Sequence, residues 1–197
     1  IFLSGPAMHG SYIRRFAMNV KGTGGAAPSF TVFKTAIGWC GMVMKGRNVK
    51  RLFIGYSRQH QIKRHIKEAF RDAMEVHPSR GMRAIIKRLE RYCSGENVAL
   101  GSVPVDWSSL TAFQKKVLKA AAQIPYGSVD TYSGLARKID SPNSARAVGN
   151  ALAKNPFPLI VPCHRIIRGD GRIGGFSAGD GISIKNKLLS MEIGEVL

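Results

Sequence analysis

"NPFPLIVPCHRIIRGDGRIGGFSAG", residues 155–179, sets a cysteine between a proline and a histidine at the end of an apolar run. Pro156 and Pro158 make the opening a rigid turn, since each fixes φ and lacks an N–H. Leu159-Ile160-Val161 reads as a short buried strand leading to Pro162-Cys163-His164-Arg165. Adjacent side chains on an extended backbone point to opposite sides, so His164 reaches the Cys163 sulfur only if the chain bends there. A one-turn helix over 162–165, with proline at its start, would bend it and aim backbone N–H groups at the sulfur. That geometry favours the thiolate. A lone cysteine beside a histidine is more often packing than chemistry. The flanking prolines and the Gly-rich loop 169–179 weigh the other way, because such loops close over sites.

The segments before this stretch read as helices. Thr111 and Gln114 have capping-box spacing, and Phe113, Val117, Leu118, Ala121 and Ile124 form one apolar stripe. Pro125-Tyr126-Gly127 stops that helix. "TYSGLARKI" (131–139) is a short helix with Thr131 as N-cap. "DSPN" (140–143) breaks it, with Ser141 as the next N-cap and Pro142 at the first helical position. In "NSARAVGNALAKN" (143–155), Ala145, Val148, Gly149 and Leu152 share one face, and Arg146, Asn150 and Lys154 the other. Two short helices joined by three or four residues suggest a helix-turn-helix. Gly149 costs such a helix about 1 kcal/mol. Close approach to a nucleic-acid groove would account for it, and so would tight packing on a neighbouring helix.

The N-terminal half has a different grain. "SFTVFKTAIGWCGMVMKG" (29–46) and "VKRLFIGY" (49–56) predict a three-stranded antiparallel meander punctuated by glycines. Ile62, Ile66, Phe70 and Ala73 then share one helical face. Met82, Ile85, Ile86, Leu89 and Cys93 mark a second helix ending at Gly95. Residues 97–110 read as a connector with one extended segment at Val103–Asp106. Residues 1–28, rich in Gly, Ala and Ser in their second half, read as a flexible extension. The expected division is therefore 1–28, 29–108 and 109–197. No apolar run approaches the roughly 20 residues of a membrane span. Cys40 and Cys93 fall on apolar patterns and read as core. With Cys163 the three are too scattered for a disulfide framework or a metal site, so a reducing compartment, no metal and no cofactor are expected. The net charge is +18, from 30 basic and 12 acidic side chains. Residues 1–100 carry 18 and 5 of these (net +13) and residues 101–197 carry 12 and 7 (net +5). Such an excess favours a polyanionic partner, nucleic acid before anionic membrane.

Four segments in order carry a resemblance: "IPYGSVDTYSGLA" (124–136), "SARAVGNALAKNP" (144–156), "VPCHRII" (161–167) and "GRIGGFSAG" (171–179). Together they resemble the O6-alkylguanine-DNA alkyltransferases, the methylated-DNA–protein-cysteine methyltransferase family. The likeness is dense over roughly 100–193 and weak over 29–96. It implies an α/β (α+β) fold: a small ribonuclease-H-like N-terminal domain of antiparallel strands and helices, then a mainly helical domain with a helix-turn-helix and a short strand leading to the cysteine.

The resemblance also implies an activity: irreversible, single-turnover transfer of an alkyl group from O6-alkylguanine in duplex DNA to Cys163. O4-alkylthymine is a second candidate substrate. By the same resemblance, His164 takes the thiol proton through a water, Glu192 orients the imidazole, and Asn155 braces the turn before the cysteine. Tyr132 serves the N3 edge of the base, and the backbone N–H of Ser177 faces O6. The carbonyls of Cys163 and Ile166 take the exocyclic amine, Leu152 walls the pocket, and Phe176 stands at an aromatic position of the closing loop. The helix bearing Ala145, Arg146, Ala147, Gly149, Asn150 and Lys154 enters the minor groove, and Arg146 fills the space left by a flipped base. The implied protein is a cytoplasmic, nucleoid-associated monomer (nuclear in a eukaryote) without a membrane partner. Two departures stand out. No Cys/His set matches the zinc site of vertebrate members, and "AGDGISI" (178–184) makes the closing loop two residues longer. Some relatives lack the cysteine and only flag lesions, a non-catalytic alternative that Cys163 argues against.

Overall fold

The computed structural model describes residues 27–179 and 181–194, so the expected extension at 1–28 lies almost wholly outside the described residues. β1 (Ser29–Thr35), β2 (Gly38–Lys45) and β3 (Asn48–Tyr56) form the antiparallel meander. A two-residue strand, β4 (Met74–Glu75), adds in parallel beside β1, giving the order β3-β2-β1-β4. Two residues carry no periodicity, and β4 had no sequence signal.

Strand alternation divides the meander's side chains. Phe30 and Val43 join Ile62, Ile66 and Ala73 in a small cluster under α1 (Gln59–Ala69). Phe33, Cys40, Met42, Met44, Leu52 and Ile54 belong to the main core. Gly41 lies beneath α1 because a Cβ there would come within 2.6 Å of Ile66 Cδ1. α1 is shorter than the apolar spacing suggests. Phe70 caps it, and the Ala73 N–H turns back onto the Phe70 carbonyl, so Ala73 joins the buried stripe from a turn. α2 (Arg80–Cys93) buries the five expected residues. Cys40 and Cys93 are free, buried thiols, and burial pushes them up to about 11 and about 12.

The main core continues through α3 (Ala112–Ala121), α4 (Tyr132–Lys138), α5 (Ala145–Ala153) and α6 (Ile182–Ile193). The extended segment at 103–106 lies along β3, where Val49 N–H bonds Pro104 O and Asp106 N–H bonds Val49 O, both at 2.8 Å. Both bonds of the capping box at Thr111 and Gln114 are present, and Thr131 caps α4. The start of α5 differs from expectation. Its N-cap is Ser144, and Pro142 lies in a turn. Ser141 closes the preceding helix instead. Its N–H bonds Ala136 O and that of Asp140, at φ +56, bonds Arg137 O, the pairing of a Schellman cap. The helices are thus joined by residues 139–144, longer than the expected turn. Among the described residues no helix is long and apolar enough to cross a membrane.

Candidate active site

The segment leading to Cys163 is not the expected strand. Leu159, Ile160 and Val161 are buried as foreseen, but they form a tight turn with Leu159 at φ +71. Two prolines lack the donors a strand needs, and Asn155 folds the run back on itself. Its Nδ2 donates to Val161 O (2.9 Å) and its Oδ1 accepts from Phe157 N (2.9 Å). The Val161 N–H closes the turn onto Phe157 O (2.8 Å). The expected bend follows: Cys163–Arg165 is a single 3-10 turn with Pro162 as its N-cap.

That turn brings donors to the sulfur. Asn155 Nδ2 lies 3.1 Å from Cys163 Sγ, and the backbone N–H groups of Cys163 and His164 also face it. Burial pushes the thiol above its ordinary value, while Asn155, the Lys185 charge and these N–H groups pull it down. The resting sulfur is a protonated thiol set among groups that favour its anion. Lys185 has no exposure and donates to Ile166 O at 2.5 Å. Burial lowers it to about 8. The two carbonyls assigned to the base are thus partly engaged, since Cys163 O accepts from Ile166 N.

Glu192 gathers the remaining polar groups. His164 Nε2 lies 2.7 Å from Oε1, and Arg165 donates from Nε to Oε2 (2.8 Å) and from Nη2 to Oε1 (3.1 Å). Gly127 N–H reaches Oε2 at 3.2 Å, and the Tyr92 hydroxyl donates to Oε1. Burial alone would raise this carboxyl, but the bonds from His164, Arg165 and Tyr92 outweigh it and hold it at about 2. A carboxylate only accepts, so Nε2 of His164 carries the proton. Nδ1 is buried with no hydrogen-bond partner among the described residues, leaving its lone pair available. Burial lowers the imidazole pKa, and Glu192 only partly restores it.

These shifts set an acid sensitivity. The unfolded chain protonates His164 near its ordinary 6.5, whereas the native site resists. The folded value is depressed, so stability is lost as pH falls below 6.5. Glu192, also depressed, costs further stability as pH falls from 4.5 towards about 2. Urea denaturation at pH 7.5, 6.0 and 5.0 is expected to show steadily falling midpoints. A midpoint flat across that range would contradict these environments.

The other expected residues occupy two places. Tyr132 opens α4 half-buried, beside Cys163. Short parallel pairing of β5 (Asp130–Thr131) with β6 (Ile166–Ile167) holds it there. Gly174, at φ +73, lets the 169–179 loop approach: a Cβ there would stand 3.0 Å from Tyr132 Oη. Ser177 Oγ ties the loop to Ala153 O at 2.7 Å, and Phe176 packs half-buried on the main core with Leu152. On α5, Val148, Ala151 and Leu152 are buried, whereas Arg146, Ala147, Asn150 and Lys154 are exposed. Ala145 and Gly149 are half-buried, Gly149 against the Tyr132 ring. The α5 outer face thus presents Arg146, Ala147, Asn150 and Lys154 to solvent. Arg165, Lys185 and Tyr92 carry no functional signal in the sequence, although Arg165 precedes the buried Ile166 and Lys185 follows the buried Ile184. Among the described residues no His, Cys, Asp or Glu group could hold a metal ion.

Comparisons with known proteins converge on one family. The model described as "6-O-methylguanine DNA methyltransferase, DNA binding domain" matches residues 112–193. The methylated-DNA–protein-cysteine methyltransferase of Archaeoglobus fulgidus is 41% identical over 110 residues, 54% of this chain and 71% of the relative. That of Methanothermobacter thermautotrophicus is 36% identical over 115 residues, 58% of this chain and 63% of the relative. The solved structure of Mycobacterium tuberculosis OGT in complex with DNA is similar at a TM-score of 0.69 and 30% identity, covering 84% of this chain and 92% of that one. The O6-methylguanine-DNA methyltransferase of Pyrococcus kodakaraensis gives a TM-score of 0.64 at 30% identity, covering 83% and 98%.

Proposed function

Because the chain belongs to the methylated-DNA–protein-cysteine methyltransferase family, we propose that it repairs DNA by moving an alkyl group from guanine O6 to its own Cys163. One observation carries this reading. A buried sulfur is held by Asn155, and the next residue in the chain carries an imidazole whose Nε2 is committed to Glu192 and whose Nδ1 has no partner among the described residues. That is the nucleophile–base–orienter arrangement of cysteine enzymes. The thiol proton passes to Nδ1 through a bridging water, and the thiolate attacks the alkyl carbon. The S–C bond forms as the C–O6 bond breaks, and the electron pair leaves on guanine. Tyr132 O–H donates to N3 of the leaving base, and the Ser177 backbone N–H donates to O6. The thioether is stable, so each chain reacts once. O4-alkylthymine presents a similar alkyl–oxygen bond and is a second substrate.

The base must leave the stack to reach a sulfur that is 9% exposed. The exposed, small-residue face of α5 suits a minor groove, with Arg146 entering the vacated space. Salt should weaken binding to undamaged duplex steeply, since each neutralised phosphate releases counterions. For several such contacts the loss is about a hundredfold or more between 50 and 200 mM salt. A flat dependence, measured by fluorescence anisotropy, would assign the +18 charge elsewhere.

The test of the reaction class is stoichiometry. With excess O6-methylguanine duplex, repaired guanine should plateau at one per protein molecule. Continued turnover would indicate a hydrolase, and no repair with intact binding would indicate a lesion-recognition protein.

A further inference from the structure

We propose that Tyr92, on α2 in the N-terminal half, is a positioning residue for alkyl transfer: its hydroxyl sets how strongly Glu192 holds the proton-accepting His164. The proposal rests on the reaction above and adds a residue that the sequence motifs do not include. Tyr92 is 1% exposed, and its ring is fixed edge-on between Tyr126 (centroids 5.9 Å apart, 88°) and His164 (6.5 Å, 67°). Its hydroxyl donates to Glu192 Oε1, the oxygen that also accepts from His164 Nε2. The tyrosine oxygen lies 3.1 Å from that same Nε2 and 3.4 Å from Arg165 Nη2. Tyr92 therefore completes a closed ring of four polar groups.

The chemistry of that ring has a sign. A phenol this buried beside a carboxylate stays neutral and acts as a donor; burial, then the Glu192 charge, push it further from ionising. Each donor to Glu192 spreads its charge and weakens its pull on the imidazolium. Tyr92 thus lowers the proton affinity of His164 and holds the ring with Nε2 towards Glu192. The groups facing His164 are Glu192 and Lys185 on α6, Tyr92 on α2, and Arg165 and Cys163 on its own turn. The two cations also disfavour imidazolium, and only Glu192 favours it. A neutral His164 is the form that can take the thiol proton, so the Tyr92 bond extends the acid side of the active range.

Two replacements move the balance in opposite directions. Tyr92→Phe removes the donor, so the His164 midpoint and the acid limb of the single-turnover rate should both rise, by about half a pH unit or more. Incorporating 3-fluorotyrosine at position 92 keeps the shape and strengthens the donor, so both should fall. The measurements use the full chain: nitrogen-15 imidazole spectra across pH for His164, and transfer rates from an O6-methylguanine duplex over the same range. Opposite shifts establish the role, since a packing role predicts no dependence on donor strength. If Tyr92→Phe does not fold, the fluorotyrosine protein still reads the sign. Unmoved midpoints and limbs in both proteins would overturn the proposal. His164 midpoints that shift as expected in the two altered proteins, with no transfer by the wild-type protein, would instead overturn the alkyltransferase reading and leave the Tyr92–His164 coupling in place.

Discussion

Glu192→Gln is expected to slow alkyl transfer by about 10- to 100-fold and to destabilise the fold by roughly 3–5 kcal/mol. Both effects come from one carboxylate serving five donated hydrogen bonds from four residues. An amide keeps one oxygen and places an N–H₂ where a donor already points, so either His164 or Arg165 loses its acceptor. Arg165 is 7% exposed, and its other strong bond, to Ile124 O at 2.5 Å, offers no opposite charge. A buried guanidinium left without its counter-charge is the costly outcome of breaking such a pair. The rate falls because the imidazolium formed by taking the thiol proton loses its anionic partner. DNA affinity should hold, since Glu192 is buried and its bonds go to Tyr92, Gly127, His164 and Arg165, none of them on α5. Urea denaturation, duplex binding and single-turnover rates separate the three quantities. A variant as stable and as fast as wild type would remove Glu192 from the account.

Arg146→Ala should slow repair of duplex DNA while leaving reaction with free O6-benzylguanine nearly unchanged. Arg146 is exposed on α5 beside the small residues Ala145 and Ala147. If it fills the space of an extruded base, its loss exposes a few kcal/mol of unstacking that are no longer offset. That corresponds to about 10- to 100-fold in rate at saturating DNA. A free base needs no extrusion. A phosphate contact at Arg146 would instead weaken binding and flatten the salt slope, yet leave the saturated duplex rate intact. Equal losses on both substrates would point to a damaged pocket, and no loss on either would end the assignment.

Local signals explain what was legible in the sequence. The capping box at Thr111 and the stripes of α2 and α3 depend on residues three or four apart, and they stand where expected. Cys163, His164 and Asn155 lie within nine residues of each other, and proline chemistry announced the bend at 162–165. Ser141 reads as an N-cap in the sequence because an Asp-Ser-Pro run can open one helix or close another. The left-handed Asp140 decides for closing. Leu159–Val161 looked like a strand because burial without a partner strand is invisible to an apolar run. The polar ring was hidden by distance along the chain. Arg165 meets Glu192 across 27 residues, Lys185 meets Ile166 across 19, and Tyr92 meets Glu192 across 100. A tyrosine on an amphipathic stripe and a lysine between Ile184 and Asn186 reveal their partners only after the fold has brought those partners to them.

In the proposed reaction Cys163 itself receives the alkyl group. The direct measurement is the intact mass of the protein after incubation with an O6-methylguanine duplex, followed by peptide mapping. The expected result is a gain of one methyl in place of one hydrogen, confined to the peptide bearing Cys163 and absent in Cys163→Ser. An unchanged mass in a folded, DNA-binding sample, or a methyl found on Cys40 or Cys93, would contradict it.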